Sequence, residues 1–241
     1  MPSATGPAGP LVCVDFDDTL VENQAHFEQA ASDLARLLRR ELGVTEEAVH
    51  VAFRQVDAAH HHLGRNRNRF LLTLCATYAA LGGGDAVPLR LLPELAAIAA
   101  HPYDAPVAPL PGTVAALERL NAAFPGAVYL VTAGDRVVQA GRVQRSGLSA
   151  HFARIHVVAD KTAAIFAGLG RGRSRLVMIG NSPRSDLAPA RAAGFEAIHV
   201  QAPTWALDDG PLPEGVPSCP SFPAAVDLLL GGWRGDGQVT A

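Results

Sequence analysis

The chain has 241 residues, with 20 Lys and Arg against 23 Asp and Glu and a formal net charge of −3, so it offers no broad cationic surface for counterion-driven nucleic-acid binding. Hydrophobic residues make up 49% and charged residues 18%, which excludes global disorder and fits one large domain or a core with one inserted module. The three cysteines, Cys13, Cys75 and Cys219, are widely spaced and form no CxxC pair, which argues against a disulfide framework and a zinc site.

Residues 1–10 read as a flexible end. The opening MPSATGPAGP has neither a basic segment nor an apolar run, and no stretch of about 18 apolar residues follows. A cytoplasmic protein without a membrane partner is therefore expected. Leu11 to Val14 is a short apolar run ending in acids, predicting a buried parallel strand with a polar carboxyl end. From Glu22 to Ala100 apolar residues recur at spacings of three and four, as in Leu34, Leu37 and Leu38 or Phe70, Leu71 and Leu74, with breaks at Gly43, Gly64 and Gly82 to Gly84. That pattern predicts a helical module without strands, and the Pro-rich HPYDAPVAPLPG after it predicts a linker.

The pattern then changes to alternation. Helices are predicted over 113–124, after Asp135, and over 161–169 and 185–193, and strands over 127–131, 155–158, 175–179 and 197–200. A Pro-rich loop over 201–220 leads to a last helix capped by Ser221 and ending near Leu230, and residues 232–241 read as a second flexible end. Strands alternating with helices through short connections predict an α/β fold, a parallel sheet with helices on both faces.

In open parallel sheets ligands bind outside the carboxyl ends of the strands. The residues found there are Asp15, Asp17, Asp18 and Thr19; Thr132 to Asp135; Asp160 and Lys161; and Asn181 through Asp186. Three carboxylates within four positions repel one another unless a cation compensates, and an all-oxygen set suits Mg²⁺. Asp17, on the turn, can reach the same space as Asp15 as an acid or base. Thr132 and the turn amides from Ala133 onward are candidate donors to phosphate oxygens. Lys161 is the single lysine beside 19 arginines, which suggests a need for a compact ammonium that can neutralise a carboxylate and a phosphoryl group. These parts match phosphoryl transfer. The bland alternatives are an acidic helix cap for DFDDT, a turn hydroxyl for Thr132, a solvated Lys161, and loop or cap roles for Asn181 and Asp186.

The motif Asp15-Phe16-Asp17-Asp18-Thr19 resembles the first motif, DxDxT, of the haloacid dehalogenase superfamily. Thr132, Lys161 and the stretch Gly180 to Asp186 resemble its second, third and fourth motifs, in the family's order. The resemblance implies a Rossmann-like core over 11–20 and 107–231, with residues 21–106 forming an inserted helical C1 cap. LVTAGDRVVQAGRVQRSGL and IGNSPRSDLAPARAAG look like the branch related to pyrimidine 5′-nucleotidases and flavin mononucleotide phosphatases. By the resemblance, Asp15 is nucleophile and metal ligand, and Asp17 is general acid/base and lends its carbonyl to the metal. Thr132 and Ala133 bind the phosphate, Lys161 pairs with Asp15 and the phosphoryl group, and Mg²⁺ also uses Asn181 and Asp186. The fourth motif departs from the usual pattern, because Asn181 stands where an Asp is usual.

The expected function is magnesium-dependent hydrolysis of a small phosphorylated metabolite. Dehalogenation is disfavoured because it needs no acid at the position of Asp17; a phosphomutase is a further option. A non-catalytic binder or regulatory protein is the alternative from another class, motivated by Asn181. His60 to His62 and Arg65 to Arg69 read as a polar surface or a basic substrate-facing edge, since consecutive His side chains on a helix point apart. GLGRGR lacks the third glycine of a dinucleotide fingerprint, Cys13 reads as an inert buried thiol, and Trp205 reads equally as a site-mouth or packing residue.

Overall fold

A computed structural model of the protein describes residues 9–84 and 86–233, so the two expected flexible ends lie almost wholly outside the described residues. These divide into two compact units: the chain up to Glu22 together with everything from Val107 onward, and Asn23–Pro106.

The first unit begins with β1 (Leu11–Val14), whose four residues are all buried. The second unit is helical: α1 (Gln24–Leu42), α2 (Glu46–Ala59), α3 (Arg67–Tyr78) and α4 (Leu92–Asp104). Thr45 and Asn66 cap α2 and α3 through their side-chain oxygens. Phe27, Phe53, Tyr103 and Phe70 form an edge-to-face cluster, with Phe27 and Phe70 at 5.1 Å between ring centroids. Arg69 is buried and pairs with Asp57, joining α2 to α3, while Arg67 pairs with Asp104. At least those two cations of the 65–69 segment are spent inside the unit. The predicted linker starts too early, because α4 continues through Pro102. The proline lies in the last turn, where its missing N–H costs one bond, and it stays on the buried stripe with Leu95, Ile98, Ala99 and Tyr103.

The rest of the first unit runs α5 (Thr113–Ala123), β2 (Val128–Ala133), α6 (Arg136–Arg145), β3 (Arg154–Val158), α7 (Ala163–Gly170), β4 (Leu176–Gly180), α8 (Ala188–Ala192), β5 (Glu196–Val200), β6 (Ser218–Cys219) and α9 (Phe222–Leu230). All six strands are parallel, in the order β3-β2-β1-β4-β5-β6. Side chains alternate across the sheet. Val12 and Val14 pack with Leu117, Leu120, Val143, Phe222 and Leu229 on one face. Leu11 and Cys13 pack with Phe166, Ala190 and Phe195 on the other. The sheet is thus covered on both faces, as parallel sheets require. Two local differences from the sequence reading stand out. The helix expected over 185–193 is a π-helical turn, Pro183–Leu187, followed by α8, and β6 adds a two-residue strand inside the Pro-rich loop.

Candidate active site

Asp15 follows directly on the central strand β1, and its N–H bonds Ile179 O at 2.9 Å, which holds the residue against the neighbouring strand β4. The chain then turns sharply. Asp18 has φ 60°, the left-handed region, where it is the only non-glycine among the described residues; Asp accepts that region more readily than most residues. The turn brings Thr19 back so that its Oγ1 donates to Asp15 Oδ2 at 3.1 Å and lies 3.4 Å from Asn181 Oδ1.

Lys161, after β3, donates to Asp15 Oδ1 and to Asp186 Oδ1. All three side chains are at least nine-tenths buried. Two carboxylates around one ammonium leave one net negative charge in a low-dielectric pocket, and such a charge demands a proton or a cation. The demand is visible in the titration of Asp15: burial, followed by repulsion from Asp186, pushes it up to about 8 against the attraction of Lys161. Burial alone would lower Lys161, but the two carboxylates outweigh it and hold the ammonium above its usual range.

Asp186 is fixed by a second bond, from Ser182 N to Oδ2 at 3.0 Å. The chain passes so close beneath it that a Cβ on Gly180 would lie 2.5 Å from Oδ2, so only glycine fits there. Asn181 is oriented by its surroundings. Its Nδ2 donates to Pro203 O at 3.0 Å and to Thr204 Oγ1 at 3.1 Å, and because a carbonyl can only accept, this fixes Oδ1 on the side of Thr19 and Asp15.

Thr132, near the end of β2, is buried. Among the turn amides expected to serve a phosphate, that of Gly134 is already donated to Val158 O at 2.9 Å, which narrows the donor set. Gln139 Nε2 donates to Thr132 Oγ1 at 2.7 Å and to Asp17 Oδ2 at 2.6 Å, and Arg142 Nη2 donates to Asp17 Oδ1 at 2.7 Å. Neither residue is singled out by the motifs. Their signal in the sequence is periodicity: Gln139, Arg142 and Val143 share the buried stripe of α6.

Every predicted site residue thus lies in one unit. The structure joins Asp15 with Lys161, Asp186 and, through Thr19, Asn181; it joins Asp17 with Thr132 through Gln139. The oxygen set of Asp15, Asn181 and the turn suits a hard cation, and the inward Asn181 Oδ1 beside a net negative pocket fits Mg²⁺. Among the described residues no group of three or more His, Cys, Asp or Glu forms a metal cluster, so such a site depends on the amide and on backbone oxygen.

A family profile described as hydrolase, haloacid dehalogenase-like hydrolase, matches residues 10–194. No curated protein matches the sequence. Among solved structures, a haloacid dehalogenase-like family hydrolase from Xanthomonas campestris is 27% identical, with TM-score 0.73 and 94% of each chain covered. L-2-haloacid dehalogenase from Xanthobacter autotrophicus is 16% identical, with TM-score 0.57, covering 92% of this chain and 98% of its own. A β-phosphoglucomutase candidate from Thermotoga maritima is 17% identical, with TM-score 0.58 and the same coverage. These last two likenesses concern the fold.

Proposed function

Because the chain belongs to the haloacid dehalogenase-like hydrolase family, we propose that it is a magnesium-dependent phosphatase that hydrolyses a small phosphomonoester through an aspartyl phosphate. The observation that carries the reading is the second carboxylate. Asp17 stands two residues beyond the Lys161-bound Asp15, with partners of its own, and a phosphatase needs such an acid whereas a dehalogenase does not.

In this reading Asp15 attacks phosphorus, the bond to the leaving oxygen breaks, and Asp17 gives that oxygen its proton. Asp17 then takes a proton from water as the water oxygen bonds to phosphorus, and the bond to Asp15 breaks. Lys161 offsets the charge of Asp15 and of the phosphoryl oxygens throughout. Thr132, with the Ala133 amide, holds the phosphate. A magnesium ion bound by the side-chain oxygens of Asp15 and Asn181 and the carbonyl of Asp17 would supply further charge stabilisation. Asp186, with one oxygen on Lys161 and the other on Ser182, is better placed to anchor the lysine than to serve as the principal metal ligand.

Residues 21–106 serve in this reading as the cap that selects the substrate. Kinship with the nucleotidase and flavin mononucleotide phosphatase branch rests on the two motif-bearing stretches alone. The three cysteines are all free, which suits a cytoplasmic setting, and no helix among the described residues is long and apolar enough to cross a membrane.

Phosphate release from p-nitrophenyl phosphate and a panel of small phosphomonoesters, with Mg²⁺ or EDTA, tests the reading in the wild type and in Asp15→Asn. Metal-dependent turnover lost in the variant is the expected result. Asn181, one charge short of the usual pattern, favours a second reading as a phosphoryl-compound binder; binding of phosphate analogues without turnover at any Mg²⁺ concentration would select it.

A further inference from the structure

Asp17 is held by two buried side chains that the scheme above leaves unused. Gln139 and Arg142 are three residues apart on one face of α6 and are 4% and 3% exposed. Together they occupy both oxygens of Asp17. The Gln139 nitrogen carries two protons and donates to both Asp17 Oδ2 and Thr132 Oγ1. Thr132 therefore accepts from Gln139 and keeps its own proton for another oxygen. Burying a guanidinium is costly unless it is paired, and a Leu or Met at either position would fill the helix face equally well.

We infer that Gln139 and Arg142 are the positioning residues of Asp17. They hold its carboxyl in a set orientation, and Gln139 ties that orientation to the hydroxyl that receives the phosphate. The inference rests on the phosphatase reading and deepens it.

The consequence is specific to the first half-reaction. A p-nitrophenolate departs without a proton, whereas an alkoxide needs one from Asp17 as its bond to phosphorus breaks. The quantity kcat/KM covers only the steps up to formation of the aspartyl phosphate. A loosened Asp17 therefore penalises alkyl phosphates far more than aryl ones.

The experiment measures kcat/KM for ethyl phosphate and for p-nitrophenyl phosphate at saturating Mg²⁺ in the wild type, R142M, R142K, Q139M and D17N, with the folded state of each checked by circular dichroism. The ratio of the p-nitrophenyl value to the ethyl value should rise by about tenfold or more in R142M and Q139M, a part of the roughly 100- to 10,000-fold that a general acid contributes. R142K should recover part of the loss, and D17N should set the ceiling. A merely structural role scales both substrates alike and leaves the ratio at its wild-type value, which would overturn the inference. So would faster ethyl phosphate turnover in R142M, because the pair would then restrain Asp17 rather than aim it. Should R142M not fold, the ratio is read in Q139M, with a smaller rise expected in R142K. A wild type without turnover of either substrate removes the phosphatase reading and this inference with it, whereas turnover with an unmoved ratio removes the inference alone.

Discussion

At Asn181 the amide does two jobs that a carboxylate cannot combine. Its nitrogen donates to Pro203 O and Thr204 Oγ1 while its oxygen lies 3.4 Å from Thr19 Oγ1, the hydroxyl bonded to Asp15. In Asn181→Asp an oxygen would face the Pro203 carbonyl, so the variant should lose about 1 to 3 kcal/mol in EDTA and recover more than the wild type when Mg²⁺ is added. Thermal melts with and without metal check this; equal metal shifts in both proteins would place Asn181 away from the ion. Asp15 gives a second prediction. Its folded-state value near 8, set by burial and by Asp186, lies above that of an unfolded carboxyl. The native state therefore binds more protons across the interval between them, and metal-free stability falls as pH rises toward 8. The urea midpoint in EDTA should be higher at pH 6 than at pH 8, and Mg²⁺, by taking the proton's place, should shrink that difference. The residues named by the motifs were legible because their types are dictated by chemistry at strand ends. The orientation of Asn181, and the attachment of Gln139 and Arg142 to Asp17, were not, because they depend on contacts the fold makes across 22 and 23 residues in the first case and across more than 100 in the second.

Elements were read best where periodicity or a strong cap speaks. Five of the six parallel strands, β1 to β5, appear within a residue or two of the predicted positions, since strands of a parallel sheet are short apolar runs bounded by turn residues. Misreadings fell where local signals mislead. Pro102 reads as a helix breaker, yet a proline in a last turn forfeits only one bond. Pro183 and Pro189 lie at the starts of the π turn and of α8, where no simple period reports the break between them. β6 has two residues, too few for any pattern. The β4 to π-turn connection makes its own prediction. Gly180→Ala places a Cβ 2.5 Å from Asp186 Oδ2, so the carboxylate must move off Ser182 and Lys161. A loss of about 1 to 3 kcal/mol by urea unfolding is expected, together with a loss of turnover larger than unfolding explains. Wild-type activity in this variant would mean that the anchoring of Lys161 by Asp186 is dispensable.

For the molecule as a whole, the thiols report cooperativity. Cys13 lies in the central strand with no exposure, and burial pushes its thiol up to about 12, while Cys75 in the helical unit is half-buried. Alkylation at pH 8 should reach Cys75 first and Cys13 only on global unfolding; early labelling of Cys13 would show that the sheet opens locally. The same burial that silences Cys13 surrounds the Asp15, Lys161 and Asp186 triad, whose second carboxylate must take a proton or a cation. The most direct test of that account is to quench the protein rapidly during turnover of a phosphomonoester with Mg²⁺ and to weigh the peptide that carries Asp15. The account predicts a mass gain of one phosphoryl group on that peptide, absent in Asp15→Asn; steady turnover with the phosphoryl group on another residue, or on none, would contradict it.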